Sequence, residues 1–362
     1  MRFPEFSGEW ESVRLGDVCK FFSGGTPSST NKDFYDGDIP FIRSGEIHSS
    51  STELYISEAG LNSSSAKIIE QGDLLLALYG ATSGDIAISK IKGAINQAIL
   101  CIRTNHDNFF LKSCWEKHCR KLLQTYLQGG QGNLSADIVK SIKISFPSCL
   151  EQKKISGLLA LIEERIETQK KIIEDLKKLK DAIRTKLFTS LESHCNEYDE
   201  IRNMLHYEQP SAYLVNSTEY SEDYPTPVLT ANKAFILGYT DEEQGVYDKG
   251  DCIIFDDFTM DLKYVTFPFK VKSSAIKILT PRQNIDLYFI YEYLLYLGLV
   301  SEEHKRHYIS EIESMNIIHP QLKEQRQISQ ALRSLEMQVG NAIALQNLLV
   351  KQKQHFLSRM FI

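Results

Sequence analysis

The segment Pro147-Ser-Cys-Leu-Glu-Gln-Lys-Lys-Ile-Ser156 recurs 173 residues later as Pro320-Gln-Leu-Lys-Glu-Gln-Arg-Gln-Ile-Ser329. No gap is needed to continue the match over about forty residues. The same offset relates Leu159 to Leu332, Glu163 to Glu336, Leu176 to Leu349, Lys180 to Lys353 and Phe188 to Phe361. Self-similarity at one fixed offset indicates an internal duplication. The two copies therefore decide the plan of the molecule.

Both copies have the apolar spacing of a long amphipathic helix. Apolar side chains recur at steps of mostly three, four or seven residues: Ile155, Leu159, Ile162, Ile166, Ile173, Leu176, Ile183 and Leu187 in the first copy, and Ile328, Leu332, Leu335, Val339, Ile343, Leu349, Phe356 and Met360 in the second. Pro147 and Pro320 precede the two predicted helices, and neither helix contains a proline. Such a helix spans roughly 55 Å at 1.5 Å per residue. Each apolar stripe needs a partner, and the other copy is the obvious one; two unrelated core helices are the alternative.

The segments that precede the two helices also correspond. Three pairs of short, strand-like runs match: Lys143–Pro147 with Asn316–Pro320, Asp38–Arg43 with Tyr224–Thr230, and Gln71–Leu76 with Lys249–Phe255. A polar, acidic stretch, Glu192–Glu208, fits a linker into the second unit. The plan is a globular unit, a long helix, a second globular unit and a second long helix. We therefore expect an α+β fold in which two globular domains are separated by two long antiparallel helices, a coiled coil, and in which a pseudo-twofold axis relates the repeated halves.

Composition favours an intracellular two-domain protein. The chain has 362 residues, of which 42% are apolar, so each half can bury a core. No secretory leader is found in the opening residues and no apolar run is long enough to span a bilayer, so we expect a soluble, cytoplasmic protein. The net charge of −6 is unevenly distributed, because residues 189–258 hold 15 acids against 3 bases. Residues 66–146 and 259–362 are mildly basic, which permits binding to nucleic acid.

The seven cysteines form no CxxC pair and favour reduced thiols over a disulfide framework. Cys114, His118 and Cys119 lie close together in sequence and could be ligands for a metal ion. Structural zinc needs a second pair of ligands, so an ordinary amphipathic helix is the better interpretation. We predict no metal site.

Among catalytic motifs, only one loose pattern is present. The sequence has no GxxxxGK phosphate loop, no GxGxxG motif, no HExxH, no GxSxG and no Asn-Pro-Pro-aromatic signature of amino-methyltransferases. Asp251 followed by Asp261-Leu-Lys263 is similar to the spaced acid and D-x-K of metal-dependent nucleases. This nuclease reading stays open as a minor alternative, since such a pattern often arises by chance.

Glycine-rich loops are the candidate binding elements of the first half. Three such loops combine a flexible backbone with hydroxyl and amide side chains: Gly24-Gly25-Thr26-Pro27, Gly80-Ala-Thr82-Ser83-Gly84 and Gln128-Gly-Gly-Gln131-Gly-Asn133. Arg43-Ser44, in the same half of the chain, are further candidates. Backbone N–H groups of such loops approach phosphates, and amide side chains read adenine edges. Ordinary surface turns are the alternative.

In the second half the comparable stretches are Thr230-Ala-Asn232-Lys233, Asp256-Asp-Phe258-Thr259 and Phe269-Lys270-Val-Lys272-Ser273-Ser274. Lys270 and Lys272 would fall on one face of a strand, where they would be suitable contacts for phosphate. Solvated strand lysines are the equally ordinary alternative.

A family resemblance covers nearly the whole chain. Trp10-Glu-Ser-Val-Arg-Leu-Gly-Asp-Val-Cys19, Gly24-Gly-Thr-Pro27, Ile39-Pro-Phe-Ile-Arg-Ser-Gly-Glu46 and Gly93-Ala-Ile-Asn-Gln97 resemble the first target recognition domain of type I restriction–modification specificity (S) subunits. Glu208–Tyr213, Thr226–Thr230 and Ile253–Thr259 resemble another subclass of that domain. The repeated Glu-Gln-x-x-Ile-Ser helices resemble the family's spacer regions. The second half lacks the Trp-x-x-x-x-Leu-Gly-Asp and Gly-Gly-Thr-Pro opening, so contact residues are not transferred from one half to the other.

The resemblance implies a division into recognition domain 1 (residues 1–150), a central spacer helix (151–192), recognition domain 2 (193–323) and a distal spacer helix (324–362). It implies a non-catalytic subunit that reads a bipartite site in double-stranded DNA, one half per domain. It also implies partners: two methyltransferase (M) subunits and the restriction/translocase (R) subunits. S-adenosylmethionine, ATP and Mg²⁺ would be bound by those partners, and this chain would hold no cofactor.

Two further expectations concern the long helices. Exposed lysines on the first, Lys170, Lys171, Lys177 and Lys178, are candidates for docking a partner, with solvated coiled-coil lysines as the alternative. A scaffold that binds no DNA and merely organises an oligomer is the second alternative for the whole chain.

Overall fold

The structure of the chain is a computed structural model, which describes residues 2–127, 134–230, 235–301 and 306–361, without the side chains of 119–127. The chain forms two units, Met1–Lys170 with Ala344–Ile362, and Lys171–Ile343. Each unit therefore holds one globular domain and a part of each long helix. The functional boundaries expected from the resemblance stay predictions, because this division cuts through both helices.

The described residues of the first unit form three small sheets. Its strands are β1 (Glu11–Arg14), β2 (Cys19–Ser23), β3 (Tyr35–Ile42), β4 (Leu54–Ile56), β5 (Lys67–Ile69), β6 (Leu74–Ala77), β7 (Ile86–Ile88), β8 (Gly93–Ile95), β9 (Ile99–Thr104) and β10 (Lys143–Phe146). Its helices are α1 (Leu15–Val18), α2 (Glu58–Asn62), α3 (Asn108–Leu127), α4 (Ala136–Ser141) and the first part of α5 (Cys149–His194). The strand orders are β1-β10, β2-β9-β6-β7 and β4-β3-β8-β5, and all pairs are antiparallel except β3 with β8.

The second unit repeats this plan. Its strands are β11 (Tyr198–Glu200), β12 (Leu205–Glu208), β13 (Thr226–Leu229), β14 (Ile236–Thr240), β15 (Cys252–Asp256), β16 (Leu262–Val265), β17 (Lys270–Val271), β18 (Ile276–Pro281) and β19 (Asn316–Ile318). Its helices are α6 (Ile201–Met204), α7 (Leu287–Leu297), the last part of α5 and the first part of α8 (Leu322–Met360). The orders β11-β19 and β12-β18-β15-β16 match those of the first unit, and β14-β13-β17 matches β4-β3-β8, with no counterpart of β5 among the described residues. The parallel pair is β13 with β17.

The predicted Gly-Asp turns begin equivalent strands in the two units. Gly72 precedes β6 with φ of 94° and Gly250 precedes β15 with φ of 91°. This left-handed region strains residues that carry a Cβ, so glycine is required at both turns. The strands that follow are fully buried, because they lie between neighbours in the middle of their sheets. The duplication predicted from the sequence is confirmed at the level of topology.

In the first unit the two long helices pack antiparallel. Glu163 of α5 forms an ion pair with Lys353 of α8 at 2.6 Å. Earlier in α5, Ile155 and Leu159 share an apolar core with Leu357, which lies later in α8. Contacts that lie earlier in α5 are made with residues that lie later in α8, so the two helices run antiparallel.

The same holds within the second unit. Lys180 of α5 pairs with Glu336 of α8 at 2.5 Å, and His194, later in α5, pairs with Glu324, earlier in α8, at 3.1 Å. Lys180 is the repeat equivalent of Lys353, and Glu336 is that of Glu163. One ion pair is therefore used twice, with the helices exchanged.

The prediction of a linker at Glu192–Glu208 is wrong. This stretch contains the end of α5 followed by β11, α6 and β12. Ile201, Met204 and Leu205 are fully buried in the core of the second unit. Three apolar residues at these positions anchor an otherwise polar, acidic segment in that core. Among the helices of the described ranges, none has the length and apolar character needed to cross a membrane.

Candidate nucleic-acid interface

In the first unit, four loops meet at one edge of the sheet that contains β3 and β8. These strands run parallel with Ile42 opposite Ile95, so the chain leaves both at the same edge. Arg43-Ser44 follow β3, and Asn96-Gln97 follow β8. The structure thus places Asn96 and Gln97, which were not predicted as site residues, beside two that were.

The Gly24-Gly25-Thr26 loop is packed against this edge. A Cβ on Gly24 would lie 1.7 Å from the carbonyl oxygen of Ile95, and one on Gly25 would lie 2.7 Å from the Cβ of Ser65. Both glycines are therefore needed for close backbone packing. The exposed Thr26 hydroxyl donates a hydrogen bond to Gln97 Oε1 at 2.6 Å. This bond holds Gln97 in place and leaves its amide hydrogens for other acceptors.

The loop after β6 also comes to this edge. The N–H of Leu78 donates to the carbonyl of Ala98 at 2.8 Å, and Ser83 Oγ donates to the carbonyl of Leu78 at 3.0 Å. Thr82 lies half-buried in the same turn. Leu134 donates its N–H to Leu78 O at 3.1 Å. The predicted residues Gln131 and Asn133 lie outside the described residues.

Arg43 already has two acidic partners. Its guanidinium contacts Glu46 at 3.0 Å and Glu53 at 2.5 Å. Burial raises the pKa of the Glu46 carboxyl. The Arg43 guanidinium and two backbone N–H groups lower it by a larger amount, so the pKa is about 2. Arg43 thus braces the turn that contains Ser44, and a phosphate contact by Arg43 would have to compete with both carboxylates.

The second unit forms an equivalent edge. Strands β13 and β17 run parallel with Leu229 opposite Val271, so Thr230 and Lys272-Ser273 leave them together. The N–H of Asp257 donates to the carbonyl of Ala275 at 3.0 Å, as Leu78 does to Ala98 in the first unit. This bond brings the Phe258-Thr259 turn to the same edge. The predicted residues Asn232 and Lys233 lie outside the described residues.

The expectation that Lys270 and Lys272 present similar charges needs correction. Lys270 is only 2% exposed and its ammonium pairs with Glu242 at 2.8 Å. Strand β17 is short and covered by the Gln244–Gly245 backbone, whose Gln244 carbonyl also accepts from Lys270. Lys272 is exposed, and its Nζ lies 5.9 Å from the ring centre of Tyr220. Of these two lysines, Lys272, which follows β17, is thus the one whose charge faces solvent.

A buried ion pair that the sequence did not predict supports this edge. Asp257 and Lys277 are each 2% exposed and lie 3.2 Å apart. Asp257 Oδ1 also accepts hydrogen bonds from the backbone N–H groups of His307 and Tyr308, at 3.0 and 2.8 Å. These three donors from the described residues satisfy the carboxylate and hold the turn before Phe258 in place.

The structure does not bring Asp251, Asp261 and Lys263 together as a nuclease site would require. Strands β15 and β16 are antiparallel, with Cys252 opposite Val265 and Phe255 opposite Leu262. Asp251 therefore lies at one end of the hairpin and Asp261 at the other, more than about 10 Å away at 3.3 Å per residue. Asp251 instead accepts a hydrogen bond from Tyr264 at 2.7 Å. Lys263 is exposed on β16.

Other candidates also have ordinary environments. Cys114 is buried in the apolar core of the first unit, and burial raises its pKa; Cys119 lies outside the described side chains. Within the described ranges no group of three acidic, His or Cys side chains is arranged to hold a metal ion. The helix lysines Lys170, Lys171, Lys177 and Lys178 are all exposed, and their role in docking stays a prediction.

Comparison with known proteins agrees with this duplicated architecture. Residues 7–178 and 200–347 match the model of the type I restriction modification DNA specificity domain, so the match covers both halves of the chain. The chain belongs to the type I restriction modification DNA specificity domain family. Each specificity domain carries one of the two loop-lined sheet edges described above.

Individual relatives are specificity subunits. The chain is 46% identical over 117 residues to the type I restriction enzyme EcoR124I/EcoR124II specificity subunit of Escherichia coli, a stretch that covers 31% of this chain and 29% of that subunit. It is 28% identical over 218 residues to the MjaIX specificity subunit of Methanocaldococcus jannaschii, covering 57% of this chain and 50% of that one. The matches thus span half or less of these relatives.

Two solved structures share the fold over nearly the full length of the chain. The type I restriction-modification S subunit of M. genitalium superposes with a TM-score of 0.67 at 14% identity, covering 100% of this chain and 99% of that chain. A second structure, described as showing complex assembly and conformational transition of the type I R-M system, gives a TM-score of 0.54 at 17% identity and covers 98% of both chains.

Proposed function

We propose that this chain is the DNA specificity subunit of a type I restriction–modification complex and that each specificity domain reads one half of a split site in duplex DNA. One observation carries the proposal. In both units, hydroxyl, amide or lysine side chains come together at the carboxyl end of the parallel strand pair, and backbone hydrogen bonds at repeat-equivalent positions hold the loops there.

The side chains at the two edges suit different parts of DNA recognition. Thr26, Gln97 and Ser83 in the first unit are uncharged donors and acceptors, the groups that contact base edges and phosphates alike. In the second unit the exposed Lys272 adds a positive charge beside Thr259 and Ser273, which favours a phosphate contact. We therefore expect the first domain to contribute less to the salt dependence of binding than the second.

The proposal extends to partners. Methyltransferase subunits, two of them as we infer from the repeated helices, would dock on the outward faces of α5 and α8, and the restriction subunits would join through them. S-adenosylmethionine, ATP and Mg²⁺ would then be bound by those partners, while this chain contributes recognition and no catalysis. Family membership supports this arrangement. We also propose a cytoplasmic location, because the chain would have to reach its DNA target there.

Binding to a pool of random duplexes, measured over a salt series, tests the core of the proposal. Released counterions give a steep negative slope of log affinity against log salt for a DNA-binding protein. A scaffold that does not touch DNA gives no binding and no slope, and that result would reject the proposal. Metal-dependent cleavage by the purified chain that is lost in Asp261→Ala would favour the nuclease alternative instead.

Exchange of one domain tests the division of the site. Replacing residues 1–146 with the corresponding domain of another specificity subunit should change the bases read in one half-site and leave the other half-site unchanged. Unchanged specificity, or loss of both half-sites in a chain that still folds, would reject one domain per half-site.

A further inference from the structure

The repeated Glu-Gln-x-x-Ile-Ser motif has a role apart from the loop-lined edges. Its glutamines, Gln152 and Gln325, are 1% and 0% exposed, and its serines, Ser156 and Ser329, are also buried. Amide and hydroxyl groups at this depth need hydrogen-bond partners, because an unsatisfied one destabilises the fold. Four of the bonds that satisfy or use these groups recur in both units, and Gln152 Nε2 also lies 3.3 Å from His106 Nδ1 in the first unit.

In the first unit the motif binds Asp107, the residue before α3. Gln152 Oε1 accepts the N–H of Asp107 at 3.1 Å, and Gln152 Nε2 donates to the carbonyl of Pro147, just past β10, at 2.9 Å. Ser156 Oγ donates to Asp107 Oδ1 at 2.6 Å, and the same oxygen caps α3 by accepting the N–H of Phe110 at 2.8 Å. These bonds join the long helix, the exit of β10 and the start of α3; we call Asp107, Gln152 and Ser156 the first joint.

The second unit has the same set of bonds around Asp286, the residue before α7. Gln325 Oε1 accepts the N–H of Asp286 at 2.9 Å, and Gln325 Nε2 donates to the carbonyl of Pro320 at 2.8 Å. Ser329 Oγ donates to Asp286 Oδ1 at 2.6 Å. That oxygen also caps α7 by accepting the N–H of Phe289 at 3.0 Å. Asp286, Gln325 and Ser329 form the second joint.

We propose that the two joints hold each specificity domain at a fixed angle to its long helix, and that Gln152, Ser156, Gln325 and Ser329 are therefore positioning residues for the gap between the two half-sites. A domain cannot turn about its helix without breaking several of these buried bonds together. Successive base pairs of duplex DNA lie about 3.4 Å apart, so a small change of angle lets a domain reach the neighbouring base pair. This inference rests on the proposed function.

Selection from a library of random duplexes by the full-length chain tests it. The wild-type chain should enrich two half-site motifs at a single gap length. Ser329→Ala, which removes one hydroxyl of the second joint, should enrich the same half-sites, with gaps one base pair longer or shorter enriched about tenfold more than in wild type, the equivalent of one buried hydrogen bond. Ser156→Ala in the first joint should do the same. Ser193→Ala, an exposed serine on α5, is the matched control and should keep the single gap.

Each outcome of the selection either supports or overturns the positioning role of the two joints, or rejects the proposed function. Broadened gaps with unchanged half-sites, absent from the Ser193→Ala control, support the joints as positioning devices. A single unchanged gap in both joint variants overturns the inference. Loss of one half-site from either variant also overturns it, because a joint that sets only the angle leaves base reading intact. A wild-type chain that enriches no split motif rejects the proposed function, which is a different result from any of these.

Discussion

Lys277 and Lys272 lie five residues apart in the second unit and have opposite environments. Lys277 is buried against Asp257, beneath the turn that carries Phe258, whereas Lys272 is exposed at the sheet edge. One lysine therefore serves the stability of the site and the other is available to a ligand. Sequence spacing alone does not separate them, because the covering segment comes from elsewhere in the chain.

Replacement of Lys272 tests the contact with phosphate. Lys272→Gln should weaken duplex binding for all sequences and reduce the magnitude of the salt slope by about one, the value for one lost phosphate contact. Lys249→Gln is the matched control, since Lys249 is also exposed but precedes β15, at the far end from the Phe258-Thr259 turn. A slope that Lys272→Gln leaves unchanged, or that both variants reduce equally, contradicts the assignment. Filter binding at several salt concentrations provides the measurement.

Replacement of Lys277 tests the buried ion pair. Lys277→Met removes the charged partner of the buried Asp257 carboxylate and leaves, among the described residues, its two backbone donors, so the free energy of unfolding should fall by about 3 kcal/mol. Lys263→Met, at an exposed position of β16, should change it by less than about 0.5 kcal/mol. Denaturant unfolding of the full chain measures both. An equal effect of the two substitutions would show that the pair contributes nothing specific.

At the scale of the elements, the two long helices each contain one glycine in an exposed, open position. Gly157 and Gly340 have no atom within 4 Å of the place that a Cβ would occupy. Both lie in regular helix, α5 and α8. Neither glycine is needed for packing within the described residues, in contrast to Gly24, whose backbone lies directly against Ile95.

Alanine at these two positions should stabilise the protein. Gly157→Ala and Gly340→Ala should each raise the free energy of unfolding by about 0.5–1 kcal/mol, because alanine has less backbone entropy to lose in a helix. Gly72→Ala provides the contrast: its space is open too, but its φ of 94° strains alanine, so that variant should be less stable than wild type. Thermal unfolding measures all three. A loss of stability in either helix variant would indicate that the glycine has another role.

At the scale of the whole molecule, each unit places an acidic side chain where lysine or arginine side chains stabilise its charge. Burial raises the pKa of Glu163 in the first unit, but Lys112 and Lys353 lower it more, so the pKa falls below its ordinary value of 4.5. In the second unit Lys180 and Arg184 act in the same way on the fully buried Glu292. Both clusters join a domain helix to the long helices of the same unit, which makes acid sensitivity a property of both halves.

The sign of the pH dependence follows from these lowered pKa values. A carboxyl group with a lower pKa in the folded state contributes stability above its unfolded pKa of 4.5 and loses it as the pH falls through the folded value. The free energy of unfolding should therefore drop as the pH is lowered from about 5 toward 3. Glu163→Gln should be less stable than wild type at neutral pH and show a shallower drop. A drop as steep as that of wild type would contradict the assignment to Glu163.

The internal repeat predicts the plan of this molecule, because the apolar spacing of an amphipathic helix can be recognised from a short stretch of sequence. The offset of 173 residues identified both long helices and the strand just before each of them. The structure then showed that Glu163 with Lys353, and Lys180 with Glu336, form ion pairs at repeat-equivalent positions. The matching Gly-Asp turns also suggested which loops to compare, because these turns begin equivalent strands. The failures came where burial depends on distant segments. Lys270, taken for a surface lysine, is covered by residues near Gln244, and the polar stretch after α5 is anchored by Ile201 and Leu205.

Local pattern thus determined the duplication, the two long helices, the strands that start at Gly72 and Gly250, and the residue types of the candidate loops, because each depends on neighbours within a few residues. Tertiary structure alone decided which of those loops meet. The parallel pairing of β3 with β8 and of β13 with β17 places Gln97 beside Thr26 and Lys272 beside Thr230, over separations of tens of residues. The antiparallel pairing of β15 with β16 separates Asp251 from Asp261, because the two acids lie at opposite ends of that hairpin.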